Sequence, residues 1–168
     1  MLPVVLACHH WFRKWRSWPD GTLWATGWAC GMDNQPRMDA GYATEHDQGY
    51  TSWIDTCFQQ VLSARHLVAL NPVVGRPFPD DDLDVEAATL ARLVNRRMWD
   101  ERSGFYVDRH QDGRLSSVKT IGAYWGLLAG AVPPARRTRL VGHLEDTSSF
   151  KRPHRVPSRG TRSLAPGR

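Results

Sequence analysis

Residues 51–72 read Thr-Ser-Trp-Ile-Asp-Thr-Cys-Phe-Gln-Gln-Val-Leu-Ser-Ala-Arg-His-Leu-Val-Ala-Leu-Asn-Pro, and this stretch sets the fold class. Trp53, Phe58, Val61, Leu62, Ala64, Leu67 and Val68 recur at helical spacing and form one apolar stripe. Ser52, with Asp55 three residues on, is a capping-box variant at the start of the helix. Asn71-Pro72 stops it, because proline has no amide hydrogen to continue the ladder. The spacing predicts a helix over 51–70.

Working outward toward the end of the chain, Pro72 to Pro79 reads as a linker. Asp80-Asp81-Asp82 then puts negative charge at the start of a second helix, Leu83 to Trp99. Leu83, Ala87, Leu90, Val94 and Trp99 are its stripe, and Arg92, Arg96 and Arg97 fill its last turns. From Asp100 to Lys119 the period changes. Gly104 to Asp108 alternates, Gln111-Asp112-Gly113 is turn chemistry, and Leu115 to Val118 alternates again, which predicts a short β-hairpin between helices. Thr120 to Ala131 is a helix rich in small residues, suited to close packing. Pro133-Pro134 ends it, and Ala135 to Glu145 follows with Leu140, Val141 and Leu144 inward.

Toward the start of the chain, Val4 to Trp15 reads as a helix with a basic end, and Trp18-Pro19-Asp20-Gly21 as a tight turn. Thr22 to Tyr50 has no sustained period and nine Gly, Pro, Asp and Asn residues between Gly27 and Gly49. It predicts a long ordered loop, and loops of that length in compact domains carry function. Five helices, one small hairpin and loops alternating between long and short describe an all-α chain of paired helices, arranged as in a toroid rather than a compact bundle.

The whole chain has 168 residues, a formal charge of +5 and a pI near 9.5, which alone would suggest a polyanion partner. The charge is local, however. Residues 151–168 hold six basic side chains and no acid, and without them sixteen basic residues face seventeen acids. The reading is therefore a domain over 1–150 followed by a basic tail over 151–168. Three cysteines at wide spacing (Cys8, Cys30, Cys57) do not make a disulfide framework and favour a reducing, cytoplasmic setting. No apolar run reaches the roughly 18–20 residues of a membrane span, and Leu2 to Cys8 lacks the basic flank of a secretory signal.

The chemistry concentrates in Gly27-Trp28-Ala29-Cys30-Gly31-Met32-Asp33-Asn34-Gln35-Pro36-Arg37-Met38-Asp39. A carboxylate stands between glycines and a proline, next to an amide, with Arg37 and Trp28 close in sequence. Sugar sites use such parts: aromatic faces stack on pyranose rings while Asn, Arg and carboxylates bind hydroxyls. A carboxyl shielded by tryptophans is suited to general-acid work. An Asp-Asn turn held by buried tryptophans explains the same composition equally well.

The pattern Trp-x-x-Gly-Met-Asp-Asn-x-Pro-Arg resembles the catalytic-acid loop of glycoside hydrolase family 63, which includes mannosylglycerate and glucosylglycerate hydrolases. Three later blocks, Met98-Trp99-Asp100-Glu101-x-x-Gly104-Phe105-Tyr106-x-Asp108, Val118-Lys119-Thr120-Ile121 and Phe150-x-Arg152-Pro153-His154-Arg155-Val156-Pro157-Ser158, follow in the family's order. The resemblance implies part of an (α/α)6 toroid, about half the barrel, and an inverting mechanism with two carboxylic acids roughly 6.5–9.5 Å apart. It makes Asp33 the general acid and Trp28, Asn34, Arg37 and Lys119 substrate-binding residues. Its substrate would be a small glucoside or mannoside such as glucosylglycerate or mannosylglycerate, with no cofactor or metal.

The chain then departs from the family. Beyond Ser158, relatives continue through further helices to a general-base glutamate, whereas Arg159-Gly160-Thr161-Arg162 leads to a short Arg/Gly/Pro/Ser-rich end. That end resembles truncation or out-of-frame translation, leaves the base unmatched, and predicts weak or no hydrolysis by this chain alone. The rival reading is a nucleic-acid binder with a basic tail, but the tryptophans sit apart from the arginines and no nucleic-acid or membrane partner is expected. Cys8-His9-His10 lacks zinc-ligand spacing, and Asp80-Asp81-Asp82 is helix-start charge rather than a calcium site.

Overall fold

The computed structural model describes residues 2–26, 37, 51–74 and 82–151. Among these, five α-helices dominate: α1 (Leu2–Trp15), α2 (Ile54–Leu70), α3 (Leu83–Arg97), α4 (Trp125–Leu128) and α5 (Pro134–Glu145). Four two-residue strands lie between them: β1 (Thr51–Ser52), β2 (Trp99–Asp100), β3 (Phe105–Tyr106) and β4 (Arg109–His110). The described residues are mostly helical, as their periodicity predicts.

The second helix is the centre of the core. Ile54, Cys57, Phe58, Val61 and Ala64 are fully buried along one stripe, and Asp55, Thr56 and Gln60 are buried off it, so the first turns of α2 are enclosed on more than one side. It packs mainly on α3 and also touches α1 and α4. Phe58 meets Tyr106 edge-on at 5.2 Å, and Tyr106 meets Trp99 at 4.7 Å, which ties α2 to the loop region after α3. Burying one such ring contributes roughly 1.5–3 kcal/mol.

The expected cap of α2 is not formed by Ser52. Ser52 is in β1, where its hydroxyl lies 2.6 Å from that of Thr22. Trp53 takes the cap position and makes no side-chain cap bond. The carboxylate of Asp108 accepts the Ile54 amide instead, at 2.8 Å and from 54 residues away.

The helix predicted over Leu83 to Trp99 ends two residues early, at Arg97. Trp99 and Asp100 pair instead with Tyr106 and Phe105 in a tight antiparallel hairpin. Gly104 turns it at φ +66°, and the Asp100 carboxylate accepts the amides of Arg102 and Ser103. The predicted hairpin around Gln111–Gly113 is only partly formed. Its turn is present, with the Gly113 amide on the His110 carbonyl, but β4 pairs with distant β1 and makes one bridge, Arg109 to Leu115.

The fourth predicted helix opens as a 3-10 turn, Ile121–Tyr124, before α4. Gly130 (φ +62°) ends it in a Schellman motif, with Ala131 bonded to Gly126 and Gly130 to Leu127. Its small residues serve close packing: a Cβ on Gly126 would lie 2.7 Å from the Phe58 ring. In α5 only Leu140 is fully inward. Val141, expected inside, is 41% exposed because it is one helical step round from Leu140. Phe150 folds back and stacks on Phe105 at 5.7 Å.

The first helix presents an unexpected face to the core. Leu2, Leu6 and Phe12 pack against it, but the one fully buried residue is His9, while Trp11 and Trp15 are about half exposed. His9 bonds Ser63 at 2.9 Å and Glu86 at 3.1 Å, joining α1 to α2 and α3. The turn at Pro19–Gly21 forms as expected, with Gly21 at φ +87° and the Asp20 carboxylate holding the Thr22 amide and hydroxyl.

Candidate active site

The pairing of β1 with β4 brings chemistry together at the start of α2. Its register sets Thr51 opposite His110 and Ser52 opposite Arg109, which carries Asp108 to the first turn of that helix. Two buried carboxylates, Asp55 and Asp108, then flank one buried guanidinium, that of Arg37. Arg37 donates from Nε and Nη2 to Asp108, both at 2.8 Å, and from Nη1 and Nη2 to Asp55, at 2.8 and 3.1 Å. Four of its five N–H donors are thereby used. Its guanidinium also lies 3.9 Å from the centre of the Trp53 ring.

Each carboxylate also accepts a backbone amide. Asp108 accepts the Ile54 amide and Asp55 accepts its neighbour's, Thr56, both at 2.8 Å. These amides belong to the first turn of α2, where the helix dipole favours negative charge. Gly122 approaches so closely that a Cβ there would stand 2.8 Å from that of Asp55. Burial alone would favour the neutral form of Arg37, but the adjacent Asp108 and Asp55 charges outweigh it and hold the guanidinium firmly protonated. A pair with this geometry offsets its desolvation, and removing one partner of such a pair typically costs about 3–5 kcal/mol.

Of the residues singled out in the sequence, Arg37 is thus in a buried, ion-paired cluster at 3% exposure. Lys119 is also buried, but beside another element. Its Nζ lies 3.4 Å from Nδ1 of His143 on α5 and 5.8 Å from the centre of the Phe105 ring. His143 donates from Nε2 to the Ser103 carbonyl at 3.0 Å, leaving Nδ1 as the acceptor facing Lys119. Burial and the lysine charge both lower the His143 pKa from 6.5, keeping the ring neutral. Trp28, Asp33 and Asn34 lie outside the described residues.

Asp55 and Asp108 were not read as site residues in the sequence, where they look like a helix cap and a hairpin end. The signals for Asp108 were its place at the end of the family-like block Met98 to Asp108 and of the apolar run Phe105-Tyr106-Val107. Among the described residues no group of three or more His, Cys, Asp and Glu side chains could hold a metal ion. Nor is any helix there long and apolar enough to cross a membrane. Two surface grooves, one along Val5, Leu62, Leu70 and Trp125 and one along Arg13, Glu86, Arg92 and Arg96, include no member of the Arg37 cluster.

Comparisons with known proteins place this mostly helical domain among glycoside hydrolases. The profile of the mannosylglycerate hydrolase MGH1-like glycoside hydrolase domain matches residues 1–164, and the chain belongs to that family. A glycoside hydrolase family 63 mannosylglycerate hydrolase from Thermus thermophilus, solved in complex with Tris, superposes with a TM-score of 0.68 at 19% identity, over 94% of this chain and 53% of its own. A solved sialidase superposes with a TM-score of 0.73 at 12% identity, over 96% of this chain and 14% of its own. An uncharacterised protein of Borreliella burgdorferi is 27% identical over 129 residues, which are 74% of this chain and 24% of that protein. The chain therefore spans about a quarter of that curated relative and about half of the Thermus hydrolase.

Proposed function

We propose that this chain carries the general-acid side of an inverting α-glycosidase site, with Asp33 as the acid. The observation that carries this is the position of Arg37. It closes the Gly-Met-Asp-Asn-Gln-Pro-Arg segment and is fixed at the N-terminus of α2 by Asp55 and Asp108. Four residues of extended chain reach at most about 14 Å, so Asp33 is tethered within that radius of the cluster. Family membership over residues 1–164 supports the reaction class. The substrate we infer is a small glucoside or mannoside, glucosylglycerate or mannosylglycerate, with Trp28 stacking on the sugar and Asn34 bonding its hydroxyls. Lys119 contacts the substrate once its amine leaves His143. The architecture would be part of an (α/α)6 toroid over 1–150, with residues 151–168 as a separate basic tail.

In this chemistry the acid protonates the leaving oxygen while a second carboxylate activates water on the opposite face. No residue of this chain is matched to that second role, so we expect slow hydrolysis by the chain alone. The test compares glucosylglycerate and mannosylglycerate with an aryl glycoside whose leaving group needs no proton. Asp33→Asn should slow the glycerate glycosides by about 10²–10⁴-fold and the aryl glycoside far less. Equal slowing of both, or none, refutes the role of Asp33. Turnover by the unaltered chain at about 1–10³ s⁻¹ refutes the missing base.

A further inference from the structure

We infer that Asp55 and Asp108 are positioning residues that hold the segment bearing Asp33 through a single latch, the Arg37 guanidinium. This rests on the assignment of Asp33 made above and deepens it, since it names what sets the acid in place.

The argument starts from which groups the latch joins. Asp55 is on α2 and Asp108 precedes β4, both on elements built into the core. Arg37 comes from neither, and it reaches them across 18 and 71 residues of sequence. An arginine fork bonded at both edges fixes direction as well as distance, which a lysine point charge cannot do. The guanidinium also lies over the Trp53 ring, 3.9 Å from its centre, a third contact that restrains it. Both carboxylates are themselves anchored by backbone amides of α2. The latch therefore transmits the position of the core to the chain four residues after Asp33. A catalytic group must be held to within about 0.5 Å, and a fixed anchor four residues away is one of the restraints that such precision needs.

The cluster also carries two carboxylates for one guanidinium. Replacing either carboxylate with its amide leaves a one-to-one pair, and the isosteric amide oxygen can still accept its α2 amide. Either single change should thus loosen the latch without unfolding the chain, whereas changing both strands a buried cation.

Trypsin provides a direct reading on the intact chain, because it cuts after Arg37 only when that side chain leaves the latch and enters the protease pocket. Cleavage after Arg139, next to fully buried Leu140 on α5, reports general unfolding in the same tube. Mass spectrometry of the fragments gives the ratio of the two rates. Asp108→Asn and Asp55→Asn should each raise the Arg37-to-Arg139 ratio at least about tenfold, as expected for about 1.4 kcal/mol of local opening. An unchanged ratio in both variants overturns the latch, as does rapid cleavage at Arg37 in the unaltered chain. The same two variants should lower kcat for the glycerate glycoside more than for the aryl glycoside and leave KM in place, repeating the signature of Asp33→Asn. A purely structural role would lower both substrates equally, and that result overturns positioning. If Asp33→Asn itself shows no such signature, the function assigned to Asp33 fails while the protease ratio still decides the latch.

Discussion

Two glycines in helices of this chain should respond to the same mutation in opposite directions. A methyl group added at Gly126 would lie 2.7 Å from two Phe58 ring carbons and 3.0 Å from a Val132 methyl. Ordinary carbon contacts are about 3.5–4.0 Å, so something must move by nearly an ångström. Phe58 has no free space to do so, being fully buried with its ring edge-on to Tyr106. Overpacking of this kind costs about 1–3 kcal/mol. At Gly142, on the exposed face of α5, an added methyl meets nothing within 4 Å. Both substitutions gain the same helix preference of alanine over glycine, about 0.5–1 kcal/mol. That gain cancels in the comparison, and the difference between Gly126→Ala and Gly142→Ala isolates overpacking. With a central value of about 2 kcal/mol, and about 2–4 °C of melting temperature per kcal/mol at this size, the variants should differ by roughly 4–8 °C. Gly142→Ala should melt above the parent and Gly126→Ala below Gly142→Ala by that margin, in thermal melts followed by far-UV circular dichroism. Melting points within about 1 °C of each other would show that α4 does not pack on α2 as closely as described.

Two further outcomes follow from titration and reactivity. Burial and Lys119 lower the His143 pKa from 6.5, so the unfolded chain takes up that proton first. Stability from this group is complete above about pH 6.5 and declines as the pH falls below it. Denaturant titrations at pH 7.5 and 5.5 (about one unit to either side) should show the loss, and His143→Gln should reduce it; an unchanged slope in the variant would contradict the burial of His143. Burial pushes the Cys57 thiol far above its ordinary range, while Cys8 is exposed. Iodoacetamide should therefore label Cys8 in the native chain and Cys57 only after denaturation, and early labelling of Cys57 by mass spectrometry would contradict the core.

How much of this was legible in the sequence depends on distance along the chain. The stripes of residues 54–70, 83–97 and 134–145 are local, since a helix of period 3.6 needs only neighbours three and four residues away to show itself. The turn at Asp20-Gly21 is equally local, because its Asp side chain and its positive φ act within the turn. The Gly-Met-Asp-Asn-Gln-Pro-Arg segment carried the family in the same way, as a contiguous string. Local pattern failed where a residue's partner was remote. Ser52 has the right chemistry to cap α2, but the strand pairing with Arg109 takes its position away and gives the cap to Asp108. Trp99 fits the stripe of α3, but cross-strand contact with Tyr106 outweighs one more helical turn. On α1 the apolar residues have only mixed helical spacing and single out no buried face, whereas three hydrogen-bonding side chains from α2 and α3 draw His9 in.

The sequence by itself thus determined the helical class, the place of each long helix and the family whose loop this chain carries. Only the tertiary structure decided that Arg37, Asp55 and Asp108 form one buried cluster. The reason is physical: a charge survives burial only when opposite charges and hydrogen bonds surround it. The groups that do so here come from 18 and 71 residues away, a separation over which no sequence period has any hold.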